Sequence, residues 1–354
     1  MSTRTRSGAD FYRLTVARVE PLTADSAAIT FAVPAGLASA FAFAPGQSLT
    51  VRRGDQRRSY SICAPAGRPP RIGVREVAGG ALSGWLVRQV KPGDPVEVQP
   101  PGGGFTPDLA VPGDHGLIAA GSGITPLLSI AASVLAADDA STVTLIYGNR
   151  RSDTVMFADE VADLKDAHPA RVRLVHVLSR EPRDVDLFSG RLDAARLARL
   201  LPLTMDAARV AQWWLCGPFG LVADATQVLR DLGVAPARLH RELFWVGDDP
   251  PAPAVHEEPP AGHGASVTVI LDGRSTTLTL PPGTPVLDGA QRVRPDLPFA
   301  CKGGVCGTCR AQVVAGTAVM RRNYALEQPE LDAGYVLTCQ AQPTSDQLTL
   351  NYDA

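Results

Sequence analysis

Residues 301–309 read Cys301-Lys-Gly-Gly-Val-Cys306-Gly-Thr-Cys309, and one further cysteine, Cys339, follows later in the chain. The resulting C-x4-C-x2-C…C spacing suits a 2Fe-2S cluster. Three thiols on one loop and a fourth from elsewhere can place two on each iron, and Gly303, Gly304 and Gly307 let backbone N–H groups approach the sulfurs. A zinc site usually pairs C-x2-C with a second C-x2-C or with histidines, and neither stands here. No Cys-x-His occurs, which excludes a Rieske centre. Three cysteines this close on one loop cannot all form local disulfides.

Outward from this loop, the 354 residues, with 33 Gly, 30 Pro and 45% apolar composition, imply two or three domains. Lys plus Arg is 34 and Asp plus Glu 36, so the net charge of −2 supplies no global basic field for nucleic acid or an anionic membrane. The first residues, MSTRTRSGADFYRLTV, have no apolar stretch behind their arginines, and a cytoplasmic, reducing location is expected. Residues 116–137, GLIAAGSGITPLLSIAASVLAA, carry no charge over 22 residues, a length that imitates a membrane span. Gly121, Gly123 and Pro126 favour a buried strand, a glycine turn and a buried helix instead.

Short alternating runs with Pro and Gly turns between residues 14 and 105 predict an antiparallel barrel or sandwich, with PGGGF at 101–105 closing it. From Leu117 apolar strands alternate with helical stretches, which predicts a parallel sheet covered on both faces. Residues 246–265 hold five prolines and four carboxylates and read as a linker. A small mixed sheet with one helix follows. The expected division is residues 1–110, 111–246, a linker over 247–265, and 266–354.

Arg58-Ser-Tyr60-Ser61 offers a guanidinium, an aromatic ring and a hydroxyl of the kinds a flavin needs, although an ordinary strand with Tyr60 packed inside reads the same way. Gly79-Gly80-Ala81-Leu82-Ser83 follows the next strand and offers N–H and hydroxyl donors to a pyrophosphate. Gly121-Ser122-Gly123-Ile124-Thr125-Pro126 stands between a buried strand and a helix, the context of a phosphate-binding turn, with Pro126 where a third glycine is usual. The next strand ends in Asn149-Arg150-Arg151 without the acidic residue that binds a ribose 2′-hydroxyl. With Ser179-Arg180 this favours NADPH over NADH, unless these arginines only solvate loop ends. Cys216-Gly217-Pro218 ends a strand at the ligand-binding edge of such a sheet, where a thiol either borders the reacting rings or is a buried structural cysteine. Cys63 has only the structural reading.

Together these motifs resemble the ferredoxin-NADP reductase superfamily fused to a plant-type ferredoxin. Within it, Leu145-Ile-Tyr-Gly-Asn-Arg150, Val177-Leu-Ser-Arg-Glu181, Asp186-Leu-Phe-Ser-Gly-Arg191 and the stretches Asn323-Tyr-Ala-Leu-Glu327 and Ala333-Gly-Tyr-Val-Leu-Thr-Cys339-Gln are similar to the reductase subunits of phenylacetyl-CoA epoxidases. The resemblance implies a multidomain fold: an antiparallel β-barrel flavin domain, an α/β parallel-sheet nucleotide domain and a β-grasp ferredoxin domain. It implies FAD held by Arg58, Tyr60, Ser61 and Gly80, Ala81, Leu82 and Ser83, with Ser61 near flavin N5. NADPH would meet Gly121, Ser122, Gly123, Ile124 and Thr125, with Arg150, Ser179 and Arg180 at the 2′-phosphate and Cys216, Gly217 and Pro218 at the nicotinamide. Ser61 and Cys216 would serve catalysis, and Phe244 would close the flavin pocket. Cys301, Cys306, Cys309 and Cys339 would bind the 2Fe-2S cluster.

The implied activity passes electrons from NADPH through FAD and the cluster to a di-iron oxygenase of phenylacetate catabolism, in a transient complex. The chain has no Glu-x-x-His with which to build a di-iron site of its own. Two alternatives stand beside it: a reductase for a Rieske-type oxygenase such as a steroid 9α-hydroxylase, and a non-catalytic electron carrier or redox sensor.

Overall fold

A computed structural model describes residues 11–54, 56–244, 264–299, 301–326 and 328–354. The N-terminal ten residues and most of the Pro-rich stretch expected as a linker, up to residue 263, lie outside the described residues. The chain divides into two compact units.

The first unit opens with six antiparallel strands: β1 (Tyr12–Thr23), β2 (Ser26–Ala32), β3 (Ser48–Arg53), β4 (Gln56–Ser61), β5 (Arg71–Arg75) and β6 (Pro95–Val98), in the order β4-β3-β6-β1-β2-β5. Alternate residues point inward, so Leu14, Val16, Leu49, Val51, Ile72, Val74, Val96 and Val98 share one core. Fully burying each such side chain contributes about 1.5–3 kcal/mol. The two edges meet where Ile62 bridges Ile72 and the Cys63 N–H donates to the Arg71 carbonyl at 2.8 Å, which closes the sheet into a barrel. The expectation that residues 101–105 close it is corrected: Gly102 bridges Ser48 on β3, but Phe105 turns away and packs edge-on against Trp214. Helix α1 (Ala81–Arg88) buries Leu82 and Leu86 in the barrel core.

Five parallel strands follow in the same unit: β7 (Asp114–Ala120), β8 (Thr142–Asn149), β9 (Val172–Leu178), β10 (Gln212–Gly217) and β11 (Leu239–Leu243), ordered β11-β10-β7-β8-β9. Helices α2 (Ile124–Ala137) and α3 (Ala158–Ala167) cover one face, and α4 (Ala194–Thr204) and α5 (Phe219–Asp231) the other. The period of two separates neighbouring residues: Leu117 and Trp214 join the first core, Ile118 and Trp213 the second. Residues 116–137 are thus a strand, a tight turn and a helix, with Pro126 in the first helical turn, where its missing N–H costs nothing.

Strand order reverses between β7 and β10, the switch point at which such sheets bind ligands. There the two loops touch. A Cβ on Gly123 would stand 2.2 Å from the Cys216 carbonyl oxygen, so only glycine fits. Polar contacts join barrel and parallel sheet: Arg71 forms a two-pronged pair with Glu160 at 2.8 Å per bond, the Ser129 hydroxyl donates to the Ala64 carbonyl at 2.6 Å, and Arg75 donates to the Thr154 carbonyl at 2.7 Å.

The second unit contains β12 (Ala265–Leu271), β13 (Arg274–Leu280), α6 (Val286–Ala290), β14 (Arg310–Ala315), β15 (Ala318–Met320), α7 (Gln328–Asp332), β16 (Tyr335–Leu337), β17 (Ala341–Pro343) and β18 (Gln347–Asn351). Its sheet runs β13-β12-β18-β14-β16, with the first and last strands paired in parallel at the centre. Helix α6 seals the core with Val286, Leu287 and Ala290. The Asp353 carboxylate accepts the N–H groups of Asp272 and Gly273, fixing the β12–β13 turn.

The contact at Gly123 carries a test. Gly123→Ala should destabilise the protein by about 1–3 kcal/mol through overpacking against backbone. Gly220→Ala in α5, where nothing lies within 4 Å of the added carbon, should stabilise it by up to about 1 kcal/mol. Melting temperatures of both variants check the pair, and equal behaviour contradicts the switch-point contact.

Candidate functional site

Strand β4 alternates outward and inward: Arg58 is exposed, Tyr60 half-buried and Ser61 buried. The Ser61 hydroxyl donates at 3.0 Å to Oε2 of Glu242. Glu242 lies opposite Cys216 in the β10–β11 register, with Cys216 Sγ 4.0 Å from the same oxygen. The fold therefore brings together a hydroxyl from the barrel, a thiol from β10 and a carboxyl from β11. Burial pushes the Glu242 carboxyl up to about 7, opposed by the Ser61 hydrogen bond. Burial, and then the Glu242 charge, push the Cys216 thiol well above its ordinary value, so it stays neutral. Sequence reading singled out Ser61 and Cys216, which the fold brings together, but not Glu242, a lone acid in a strand end whose place beside them depends on register. Phe244 donates its N–H to the Gly217 carbonyl at 3.0 Å and packs partly against the first core.

At α1, Gly80 is the N-cap. The N–H groups of Ala81, Leu82 and Ser83 precede the first intrahelical bond, from Gly84 to the Gly80 carbonyl, an arrangement of donors at a helix start that suits an anion. The Ser83 hydroxyl accepts the Val77 N–H and donates to the Gly80 carbonyl, both at 3.1 Å, so it shapes the turn.

The turn at Gly121, Ser122 and Gly123 is braced twice. Thr125 Oγ1 donates to the Ser122 carbonyl at 2.9 Å, and the Tyr147 hydroxyl to the Gly121 carbonyl at 2.9 Å. Ile124 and Thr125 bury their side chains completely, which leaves backbone groups to face a ligand. Beyond β8 and β9, the Ser179 and Arg180 N–H groups donate to the Asn149 and Arg150 carbonyls, which holds exposed Arg150 and Arg180 side by side. The nearby acid, Glu181, accepts the Ser152 N–H and hydroxyl at 2.8 and 2.9 Å, and these bonds hold its carboxyl below the usual range. Asn149, buried at the end of β8, lies against the Tyr147 hydroxyl that braces this turn.

In the second unit the four expected ligands stand in two pairs, Cys301 with Cys306 and Cys309 with Cys339. Among the described residues no three His, Cys, Asp or Glu side chains converge on one point. Two thiols on each of two centres is the donor set of a two-iron cluster rather than of one zinc ion. The Gly303 N–H reaches Cys301 Sγ at 3.3 Å. The Cys306 thiol, and then backbone N–H groups of Gly303, Val305 and Cys306, hold the Cys301 thiol below its ordinary value against its burial. Gly304 and Gly307 adopt positive φ of 81° and 66°, turning the chain so that these N–H groups face inward. The residues present therefore fit a 2Fe-2S cluster, and those of the first unit fit a flavin and a nicotinamide nucleotide.

Comparison with known proteins agrees. The profile of the oxidoreductase NAD-binding domain matches residues 117–227, and that of the 2Fe-2S iron-sulfur cluster binding domain matches residues 269–344. One of the component chains of 1,2-phenylacetyl-CoA epoxidase from Escherichia coli K12 is 40% identical over 353 residues, covering 97% of this chain and 98% of that protein. The ferredoxin reductase component of 3-ketosteroid-9-alpha-monooxygenase from Rhodococcus rhodochrous is 34% identical, covering 96% of each. The solved structure of phthalate dioxygenase reductase shares the fold, with a TM-score of 0.58, 24% identity and coverage of 96% of this chain and 98% of that one. The chain belongs to the ferredoxin-NADP reductase superfamily, among its electron-transferring flavoprotein reductases with a C-terminal 2Fe-2S domain.

Proposed function

We propose that this chain is the NADPH-dependent reductase of a di-iron oxygenase, with phenylacetyl-CoA epoxidase as its client. The observation that carries the reading is the meeting of Ser61, Cys216 and Glu242 at the switch point of a sheet, in a chain whose second unit holds four paired thiols. Likeness along nearly the whole length of the epoxidase component supports the choice of client. Bound FAD supplies conversion of a two-electron donor into single electrons, and the 2Fe-2S cluster carries them singly.

In this reading, Arg58 and the first-turn N–H groups of Ala81, Leu82 and Ser83 would bind the FAD pyrophosphate, and Tyr60 and Ser61 would hold the flavin ring. Gly121, Ser122, Gly123, Ile124 and Thr125 present backbone to the NADPH phosphates. Arg150, Ser179 and Arg180 meet the 2′-phosphate, and Cys216, Gly217 and Pro218 border the nicotinamide, with Phe244 closing that side. Glu242 Oε2 holds the Ser61 hydroxyl in one orientation and exchanges a proton through it near neutral pH. Oxygen chemistry is left to the partner, since the sequence lacks Glu-x-x-His. Among the described residues no helix is long and apolar enough to cross a membrane, and four thiols kept for a cluster suit the reducing cytoplasm. A steroid 9α-monooxygenase client is the second reading, favoured by the relative that is 34% identical over the same length.

Purified holoprotein should show flavin and cluster absorbance, bleach with NADPH and reduce ferricyanide; no reduction by either nicotinamide nucleotide would overturn the reading. Turnover with each candidate oxygenase separates the two clients. Arg180→Ala should raise KM for NADPH about tenfold or more while barely moving that for NADH, and an equal change for both would remove the 2′-phosphate role.

Glu242→Gln should lower kcat about 10- to 100-fold, on the order of a lost proton-exchanging group, and remove an inflection near pH 7. Because its carboxyl is raised in the folded state, the native protein binds the proton more tightly than the unfolded chain. Stability should therefore fall as pH rises from the ordinary carboxylate range through about 7. The melting temperature of Glu242→Gln should gain on that of the parent over this window, and parallel curves contradict the buried carboxyl.

A further inference from the structure

Gln340 follows the fourth cysteine directly, and its side chain is buried. Its backbone is fixed on both sides: its N–H donates to the Leu337 carbonyl at 2.8 Å, and its carbonyl accepts the Arg321 N–H at 3.0 Å. The side chain runs beneath the cysteine loop. A Cβ on Gly304 would come within 3.1 Å of Gln340 Cγ, so the loop lies directly on this side chain.

A primary amide has two hydrogens on one nitrogen, and each finds an acceptor here. One goes to the Lys302 carbonyl at 2.9 Å, the other to Cys339 Sγ at 3.7 Å. Lys302 has φ of 54°, a left-handed conformation that a non-glycine residue holds only when its surroundings impose it. The amide supplies one restraint, and the ion pair of Lys302 Nζ with Asp288 at 2.9 Å supplies another.

We propose that Gln340 is a positioning residue that donates a side-chain hydrogen bond to the ligand sulfur of Cys339 and thereby raises the reduction potential of the cluster bound there. The physical reason is charge. Reduction adds an electron that spreads onto the thiolate sulfurs, and an N–H dipole aimed at one of them in a buried setting stabilises the reduced form more than the oxidised form. The neighbouring Gln342 plays no such part, since its amide donates to the Gly283 carbonyl.

The inference rests on the four cysteines being cluster ligands. Holoprotein without a 2Fe-2S signal in its visible and electron paramagnetic resonance spectra would sink that reading. With the signal present, the variant Gln340→Met keeps the length of the side chain and removes both donors. Potentiometric titration followed by paramagnetic resonance should show its reduction equilibrium shifted about tenfold, ~59 mV lower for a one-electron couple, with the flavin unmoved. An unchanged potential overturns the proposal. If the variant fails to retain its cluster, the parent protein labelled with nitrogen-15 in glutamine side chains decides. Pulsed resonance of the reduced cluster should detect coupling to a side-chain amide nitrogen, and absence of that coupling overturns the proposal.

Discussion

Everything at the switch point of the first unit depends on how closely two backbones approach. The β7 and β10 loops meet at a distance that excludes even a methyl group at position 123, and the approach sets where Cys216 lies relative to the Gly121 turn. Parallel pairing of β10 with β11 then places Glu242 beside Cys216, and the barrel contributes Ser61 from across the joint. A carboxyl enclosed in this way is a costly group to fold around. Burial raises its pKa, and the hydroxyl that faces it satisfies one of its lone pairs.

The joint between barrel and parallel sheet has the same logic. Arg71 reaches Glu160 with two parallel bonds and Glu20 at 3.2 Å, and its guanidinium lies over the Phe157 ring. A planar fork set between two acids and an aromatic face has little freedom to rotate. Together with the bonds from Ser129 and Arg75 it gives the two lobes several attachment points, so the hydroxyl on one lobe and the carboxyl on the other keep their spacing.

Local chemistry was legible in the sequence. The cysteine spacing, the Gly121 turn and the change from alternating to apolar strands each depend on residues close together in the chain, and the elements formed where those patterns stand. Legibility ended where partners come from distant strands. Glu242 meets Cys216 because the β10–β11 register sets it opposite, a pairing that no run of neighbouring residues announces. The partners of hydroxyls are equally hidden in the chain. Ser83 and Thr125 suggest ligand donors by type, but each bonds first to its own turn. Phe105 ends a stretch expected to close the barrel, and its ring instead packs edge-on against Trp214 from a distant strand.

The central parallel pair of the second unit has a consequence for the order of assembly. Ser266 lies opposite Gln347 in that ladder, so the sheet's middle cannot form until the whole intervening chain, all four cysteines included, has left the ribosome. Loop-closure entropy adds to the cost of finding this contact. Metal loading is thereby tied to the emergence of β18. A chain interrupted before β18 would hold the thiols without the sheet that fixes them, open to oxidation rather than ready for iron.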